Sequence, residues 1–257
     1  MTPRRMRQAG QLLRMAVAVP VLSLNLLAQG GRAGAPTSKA MAPVDLTGQW
    51  VAIINEDWRF RMITPAKSDV AGVPLNPAGR KLADSWDPAK DEAAGEQCKS
   101  YGAPGLLRHP LRLRISWADD ETLKLETDAG MQTRMFYFKE PKSQGGEWQG
   151  VSKASWETLT SGLGRGRAAS PTSGGALTVI TTQMRAGYLR KNGVPYSDKA
   201  MLTEYFDRTN EPNGDSWLIV TSVVEDPTYL AQPFVVSTHF KKQADQAGWR
   251  PAPCSAR

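Results

Sequence analysis

Histidine and cysteine are nearly missing from this chain, with two of each in 257 residues. His109, His239, Cys98 and Cys254 cannot readily assemble a tetrahedral zinc or copper centre, so no metal is expected, although carboxylates for a hard cation stay open. A thiol nucleophile is equally poorly served, since those two imidazoles are all that would activate it. Also absent are Gly-x-Ser-x-Gly, His-Glu-x-x-His, the glycine pattern of dinucleotide sites and a complete phosphate loop. No cofactor is therefore expected, and any catalysis would be acid–base or electrostatic in kind. Beyond the first 35 residues no run approaches the roughly 18 apolar residues of a membrane span, so the processed chain should carry none. An excess of positive charge is lacking too. The formal charge is +7, from 32 Lys and Arg against 25 Asp and Glu. Five of those bases (Arg4, Arg5, Arg7, Arg14 and Arg32) lie in the acid-free first 35 residues, so taking five from 32 leaves 27 against 25, or +2. That balance gives no support to a nucleic-acid partner.

What the amino-terminal segment does contain is a basic start to Arg14, an apolar stretch from Met15 to Ala28, and small residues at Ala33-Gly34-Ala35. This is the layout of a cleavable export signal over residues 1–35, and it implies a periplasmic or secreted protein. A Pro, Ala and Ser-containing linker follows at 36–44, and the folded domain is expected over 45–257. In an oxidising compartment the cysteine pair reads as a Cys98–Cys254 disulfide. Closing a loop across that separation is worth roughly 5 kcal/mol in the chain-entropy model, an upper figure.

Short β-branched and aromatic runs, separated by turn residues, predict nine strands. The first spans 45–54, and the others 111–117, 122–127, 132–139, 148–158, 176–190, 199–208, 217–224 and 234–242. Asn192-Gly193 and Asn213-Gly214 supply residues suited to tight hairpins. A meander of this kind hides its edges best by closing on itself. The fold class expected is all-β, a single antiparallel barrel of about 8–10 strands with a short helical cap insertion. The cap is assigned to residues 64–110, where Asn76-Pro77 and Asp87-Pro88 announce helices over 77–86 and 88–95. Ser161–Gly175 carries glycine at 162, 164 and 166 without a phosphate-loop ending and reads as a hairpin loop.

Gly48-Gln49-Trp50 on the first strand resembles the Gly-x-Trp signature of lipocalins and the wider calycin group. Residues 45 to 254 also resemble a family of uncharacterised secreted bacterial proteins. The similarity runs through Asp45-Leu46-Thr47-Gly48-x-Trp50, Gly72-Val73-Pro74-Leu75-Asn76, Cys98-x-x-Tyr101-Gly102 and Asp128-Ala129-Gly130-x-Gln132-Thr133-Arg134. It continues through Leu189-Arg190-Lys191-Asn192-Gly193-Val194-Pro195-Tyr196-Ser197, Asp226-Pro227-x-Tyr229-Leu230 and Pro251-x-Pro253-Cys254. The resemblance implies a lipocalin-like barrel and carries no activity. The chain departs from the lipocalin pattern in having no C-terminal arginine at the usual spacing to cover the tryptophan.

Strand parity selects the site candidates. On 199–208, Ala200, Leu202, Glu204 and Phe206 share a face, which makes Glu204 a buried proton carrier or the partner of an arginine such as Arg185. His239 sits among apolar neighbours and is the other candidate general base. Gln132 and Arg134 share a face with Phe136, so Arg134 is an internal cation, unless Asp128 neutralises it. Tyr188 and Arg190 share a face and suit an oxyanion, or form an amphipathic strand edge. Trp58-Arg59-Phe60-Arg61 reads as a strand with one aromatic and one arginine face. The eight tryptophans, Trp117 among them, pack in the core or line a cavity. Two functions follow, with a structural or envelope-assembly role as a third, favoured if the barrel interior is filled with side chains. The first is a barrel that binds a small apolar or aromatic molecule, with Arg134, Tyr188, Trp117 and Gln132 as ligand contacts. The alternative is a cofactor-independent isomerase, cyclase, lyase or hydratase using His239 and Glu204. The first tolerates an apolar interior, whereas the second needs titratable groups converging on a cavity.

Overall fold

The computed structural model describes residues 35–158 and 175–256. The export signal expected at 1–35, except Ala35, and the hairpin loop expected at Ser161–Gly175, except Gly175, lie outside the described residues. In chain order the strands are β1 (Gly48–Ile53), β2 (Arg112–Asp119), β3 (Thr122–Thr127), β4 (Thr133–Tyr137), β5 (Val151–Thr158) and β6 (Gly175–Thr182). A separate hairpin follows, β7 (Gly187–Arg190) and β8 (Val194–Tyr196), and then β9 (Met201–Asn210), β10 (Ser216–Glu225) and β11 (Phe234–Gln243). Nine of these close a barrel in the order β1-β11-β10-β9-β6-β5-β4-β3-β2.

An odd ring cannot alternate direction all the way round, so one neighbouring pair must run parallel. That pair is β4 with β5, where Phe136 faces Ser152 and Tyr137 faces Lys153. The barrel is thus mixed, which corrects the expectation of an antiparallel sheet throughout. A second correction concerns the expected strand 176–190. It breaks at Gln183, whose φ of 55° takes the chain out of the sheet, and its second half becomes β7. The β7–β8 turn holds Gly193 at φ 79°, where a Cβ would fall 2.2 Å from the Trp86 ring. No other residue fits there without moving Trp86.

Inward positions alternate along each strand and stack into layers. Towards one end, Trp50, Leu113, Leu125, Phe136, Val179, Phe206, Val220 and Phe240 form a closed apolar core. Two residues further along their strands come Arg134, Ser152, Thr181, Glu204, Ser222 and Thr238, all buried. Beyond this polar layer, Leu202, Val224 and Phe234 belong to a second apolar core, completed by Leu75, Ala83, Leu189, Val194 and Tyr196 of the cap and hairpin. The barrel interior is filled with side chains.

The cap includes four short helices, α1 (Trp58–Arg61), α2 (Pro77–Asp84), α3 (Pro88–Ala93) and α4 (Ala103–Leu106). Asn76 accepts the Gly79 amide at 2.9 Å and Asp87 accepts the Ala89 amide at 3.1 Å, with proline at the first helical position of each. The expected strand at Trp58–Arg61 is instead α1, and Arg61 is buried within it. Cys98 and Cys254 are bonded, with Cα atoms 5.1 Å apart. The bond fixes the C-terminal tail, which also exchanges hydrogen bonds with the β3–β4 turn, from Gly130 N to Ala252 O and from Ala252 N to Asp128 O. Among the described residues no helix is long and apolar enough to cross a membrane.

Candidate functional site

The residues singled out by parity do not gather in one place. Glu204 does face inward, and Arg134 reaches it from the opposite wall with two bonds, Nη1 to Oε1 at 2.9 Å and Nη2 to Oε2 at 2.6 Å. Arg134 Nη2 also donates to the Thr181 hydroxyl, which lies 2.8 Å from that of Ser152. Arg185, considered as the partner of Glu204, pairs with Glu96 instead. Asp128 accepts the amides of Arg112 and Ala129 and shapes the β3–β4 turn.

His239 was expected on an inward face and lies on the outer one. Phe240 and Thr238 occupy the interior at 0% and 1% exposure, so alternation turns His239 outward. There its Nδ1 is 3.1 Å from Asn55 Oδ1 and 3.3 Å from Glu56 Oε2. His239 and Glu204 therefore do not converge on a cavity. Tyr188 belongs to the cap, where its hydroxyl donates to Asp91 at 2.9 Å and Lys99 holds the other carboxylate oxygen at 2.7 Å. Burial, and then Asp91, push its phenol up to about 12, so it is a neutral donor. Gln132 bonds the Gly130 carbonyl and the Gln149 amide beside Cys254, within the disulfide-linked turn.

Trp117 lies at the end of the barrel opposite the cap. It is the third inward residue of β2 after Leu113 and Ile115. Trp156 continues Ser152 and Ala154 on β5, and Phe138 continues Arg134 and Phe136 beyond β4. Their ring centroids are separated by 5.6 Å (Trp117–Phe138), 5.1 Å (Phe138–Trp156) and 6.3 Å (Trp117–Trp156). Across this mouth runs the segment read from sequence as a linker. Ser38 donates through its amide and hydroxyl to Glu121 Oε2, at 3.2 and 2.5 Å, and the Lys39 amide donates to the Asp120 carbonyl. The Trp156 indole N–H donates to the Ser38 carbonyl at 2.8 Å. The strap then descends through Val44 to Leu46, which is buried in the core.

Strap and rings enclose a cleft of about 340 Å³, lined by Val44, Leu46, Trp117, Leu123 and Trp156, with Lys39 and Asp45 the charged members. Burial raises the Asp45 carboxyl, but the Thr47 hydroxyl and amide, with Lys242 and Arg208, outweigh it and hold the group below its ordinary value. A larger hollow of about 430 Å³ lies between Lys199, Met201 and the β10–β11 turn. It has no aromatic ring in its lining, and the mouth cleft is the better recess for a flat apolar molecule.

Parity alone would have paired Trp156 and Phe138 with Trp117, since all three continue inward series. The strap carried no such signal. Under the cleft, the Trp50 indole donates to the Leu46 carbonyl at 3.0 Å. Its ring is covered by Lys242 and Arg208, at 5.5 and 6.0 Å, in the place where the sequence showed no C-terminal arginine. Among the described residues no group of His, Cys, Asp and Glu is arranged to hold a metal.

Fold and cleft together define a closed nine-stranded β-barrel, compatible with a lipocalin-like fold, with a filled interior and an aromatic recess at one end. No protein-family model matches the chain, and neither a curated protein nor a solved structure does.

Proposed function

We propose that this protein is a binding module for a small apolar or aromatic molecule, taken up at the tryptophan mouth rather than in the depth of the barrel. The observation that carries the reading is the cleft of about 340 Å³ beside Trp117 and Trp156, within the size range of small-molecule sites. Stacking on these rings would orient a flat ligand, and the aliphatic wall of Val44, Leu46 and Leu123 would exclude water from its edge. A periplasmic or secreted location fits the signal-like first 35 residues and the Cys98–Cys254 bond, since disulfides persist in oxidising compartments.

The test is titration of the protein with a neutral aromatic probe such as N-phenyl-1-naphthylamine, followed by probe and tryptophan fluorescence. Saturable binding that weakens by up to roughly tenfold in Trp156→Leu is expected, because an aromatic pair is worth about 0.5–1.5 kcal/mol beyond its area. Probe binding that is absent, or equally strong in Trp117→Leu and Trp156→Leu, would refute the assignment.

A further inference from the structure

At the cap end a second recess opens among basic side chains. It lies between Phe60 and Arg61 of α1, Arg108 and His109 after α4, and Arg190 and Lys191 at the β7–β8 turn, with room of about 10 Å³. That leaves room for one small compact body. The three guanidiniums are deeply buried, at 4% (Arg61), 6% (Arg108) and 5% (Arg190) exposure.

Their partners are unevenly shared. Arg61 is fully engaged, by the Arg108 carbonyl at 2.9 Å, the Leu107 carbonyl at 3.4 Å and the Glu56 carboxylate. Arg108 gives Nη2 to Asp57 at 2.9 Å, but its Nη1 has no hydrogen-bond partner. Arg190 donates Nη1 to the Ala71 carbonyl at 2.8 Å and lies 4.1 Å over the Phe60 ring. It makes no ion pair among the described residues, and its Nε is also without a partner. Asp69, the remaining acid nearby, pairs with Arg59. Among the described residues Glu56, Asp57 and Asp69 thus face Arg59, Arg61, Arg108 and Arg190, which leaves positive charge in excess.

His109 does not add to it. Burial pushes its imidazole down to about 4, and Nε2 lies 2.8 Å from the Ser100 carbonyl, so the neutral ring donates there. Burial, and then the charge of Arg108, lower Arg190 to about 10, with Asp57 and Asp69 offsetting part of the effect. A buried guanidinium without a counter-charge is costly, and an anion would remove the cost.

We infer that this recess is a binding site for one small monovalent anion of halide size, held among the guanidiniums of Arg108 and Arg190. Arg190 Nε and Arg108 Nη1 are the donors it would satisfy, and the available volume disfavours a phosphate or a larger oxyanion. The site stands apart from the tryptophan mouth and does not depend on the binding reading given above.

Thermal unfolding in sodium chloride or bromide is compared with sodium gluconate at equal ionic strength. A saturable rise in Tm is expected with the halides alone, about 5–10 °C at roughly a hundredfold over the half-saturating concentration. Arg190→Gln should retain the fold and lose that response. Equal Tm in halide and gluconate, or an unchanged halide response in Arg190→Gln, would overturn the site. Should the variant fail to fold, crystals of the wild-type protein soaked in bromide decide the matter by anomalous scattering. A bromide peak among Arg108 and Arg190 supports the assignment, and its absence from that recess overturns it.

Discussion

At the cap end of the barrel, a second apolar core, a disulfide and a hairpin outside the sheet bury guanidiniums and an imidazole. At the mouth, among the described residues, one peptide strap is held to the β2–β3 turn and to one indole by a handful of hydrogen bonds. The cap end has depth enough to bury charge, and the recess left among its guanidiniums is small and polar. Among the described residues the mouth has no second layer of structure, and its rings are partly exposed around the cleft. Between the two stands the polar layer of Arg134, Glu204 and their hydroxyl neighbours, which separates one apolar core from the other. Closure by a thick cap and closure by a strap leave different kinds of space, and the second sets two tryptophan rings beside an apolar cleft.

The sharpest way to break this comparison is at the layer between the ends. Arg134 and Glu204 have side chains exposed by 0% and 1%, so each is the other's only counter-charge among the described residues. Removing one leaves a buried charge alone, and Arg134→Met or Glu204→Gln should each cost about 3–5 kcal/mol in urea unfolding. Replacing both, as Arg134→Met with Glu204→Leu, should recover most of that loss, because an apolar layer would then join the two cores. Probe binding at the mouth should survive in the double variant. A double variant as unstable as the singles would mean that the pair is coupled to something besides itself.

Next in size is an acid effect confined to the cap. His109 is buried, stacks on Tyr101 at 4.2 Å, and has its imidazole pushed down to about 4, chiefly by burial. Between that value and the ordinary 6.5 the unfolded chain binds a proton that the folded chain does not, so stability falls as pH falls through this window. The loss approaches about 3 kcal/mol below pH 4. His109→Gln should flatten the dependence of Tm on pH between 6.5 and 4. An equally steep slope in that variant would assign the acid sensitivity to other groups.

How much of this was legible in the sequence depended on whether one residue's neighbours were local. The nine barrel strands, the Asn76 and Asp87 caps and the cysteine pairing were all readable, because alternation, capping and oxidation chemistry are written in short patterns. The inward face of β9 was readable for the same reason. Parity could not say which of two faces was interior on β11, where Val235 and Val236 are adjacent, and so His239 was turned the wrong way. Trp58–Arg61 alternates aromatic and basic residues as a strand would, yet burial of Arg61 against the Arg108 carbonyl favours a helical turn. That contact spans 47 residues and leaves no local trace. The strap was hidden for the opposite reason: its Pro, Ala and Ser content is that of a linker, and only Glu121 and Trp156, far along the chain, tell that it is docked.

The smallest expected effect is at the strap, and it separates the two ends most cleanly. Ser38 gives both its amide and its hydroxyl to Glu121, whose carboxyl is held below its ordinary value first by Lys139 and then by Ser38. In Ser38→Ala the hydroxyl contact disappears while the amide contact and the Trp156 bond to the Ser38 carbonyl remain possible. Because the carboxylate is near solvent, one such bond is worth little, and the strap should loosen without detaching. Affinity for the neutral aromatic probe should fall by about threefold, since Val44 and Leu46 form one wall of the cleft. Trypsin should cut more readily after Lys39, whose backbone is held to Asp120 at 3.1 Å, whereas the acid dependence set by His109 should not change. Unaltered probe affinity together with unaltered cleavage at Lys39 would show that the strap is not what closes the mouth. A shift in the acid dependence would show that the two ends are coupled through the layer of Arg134 and Glu204, and the contrast between them would have to be given up.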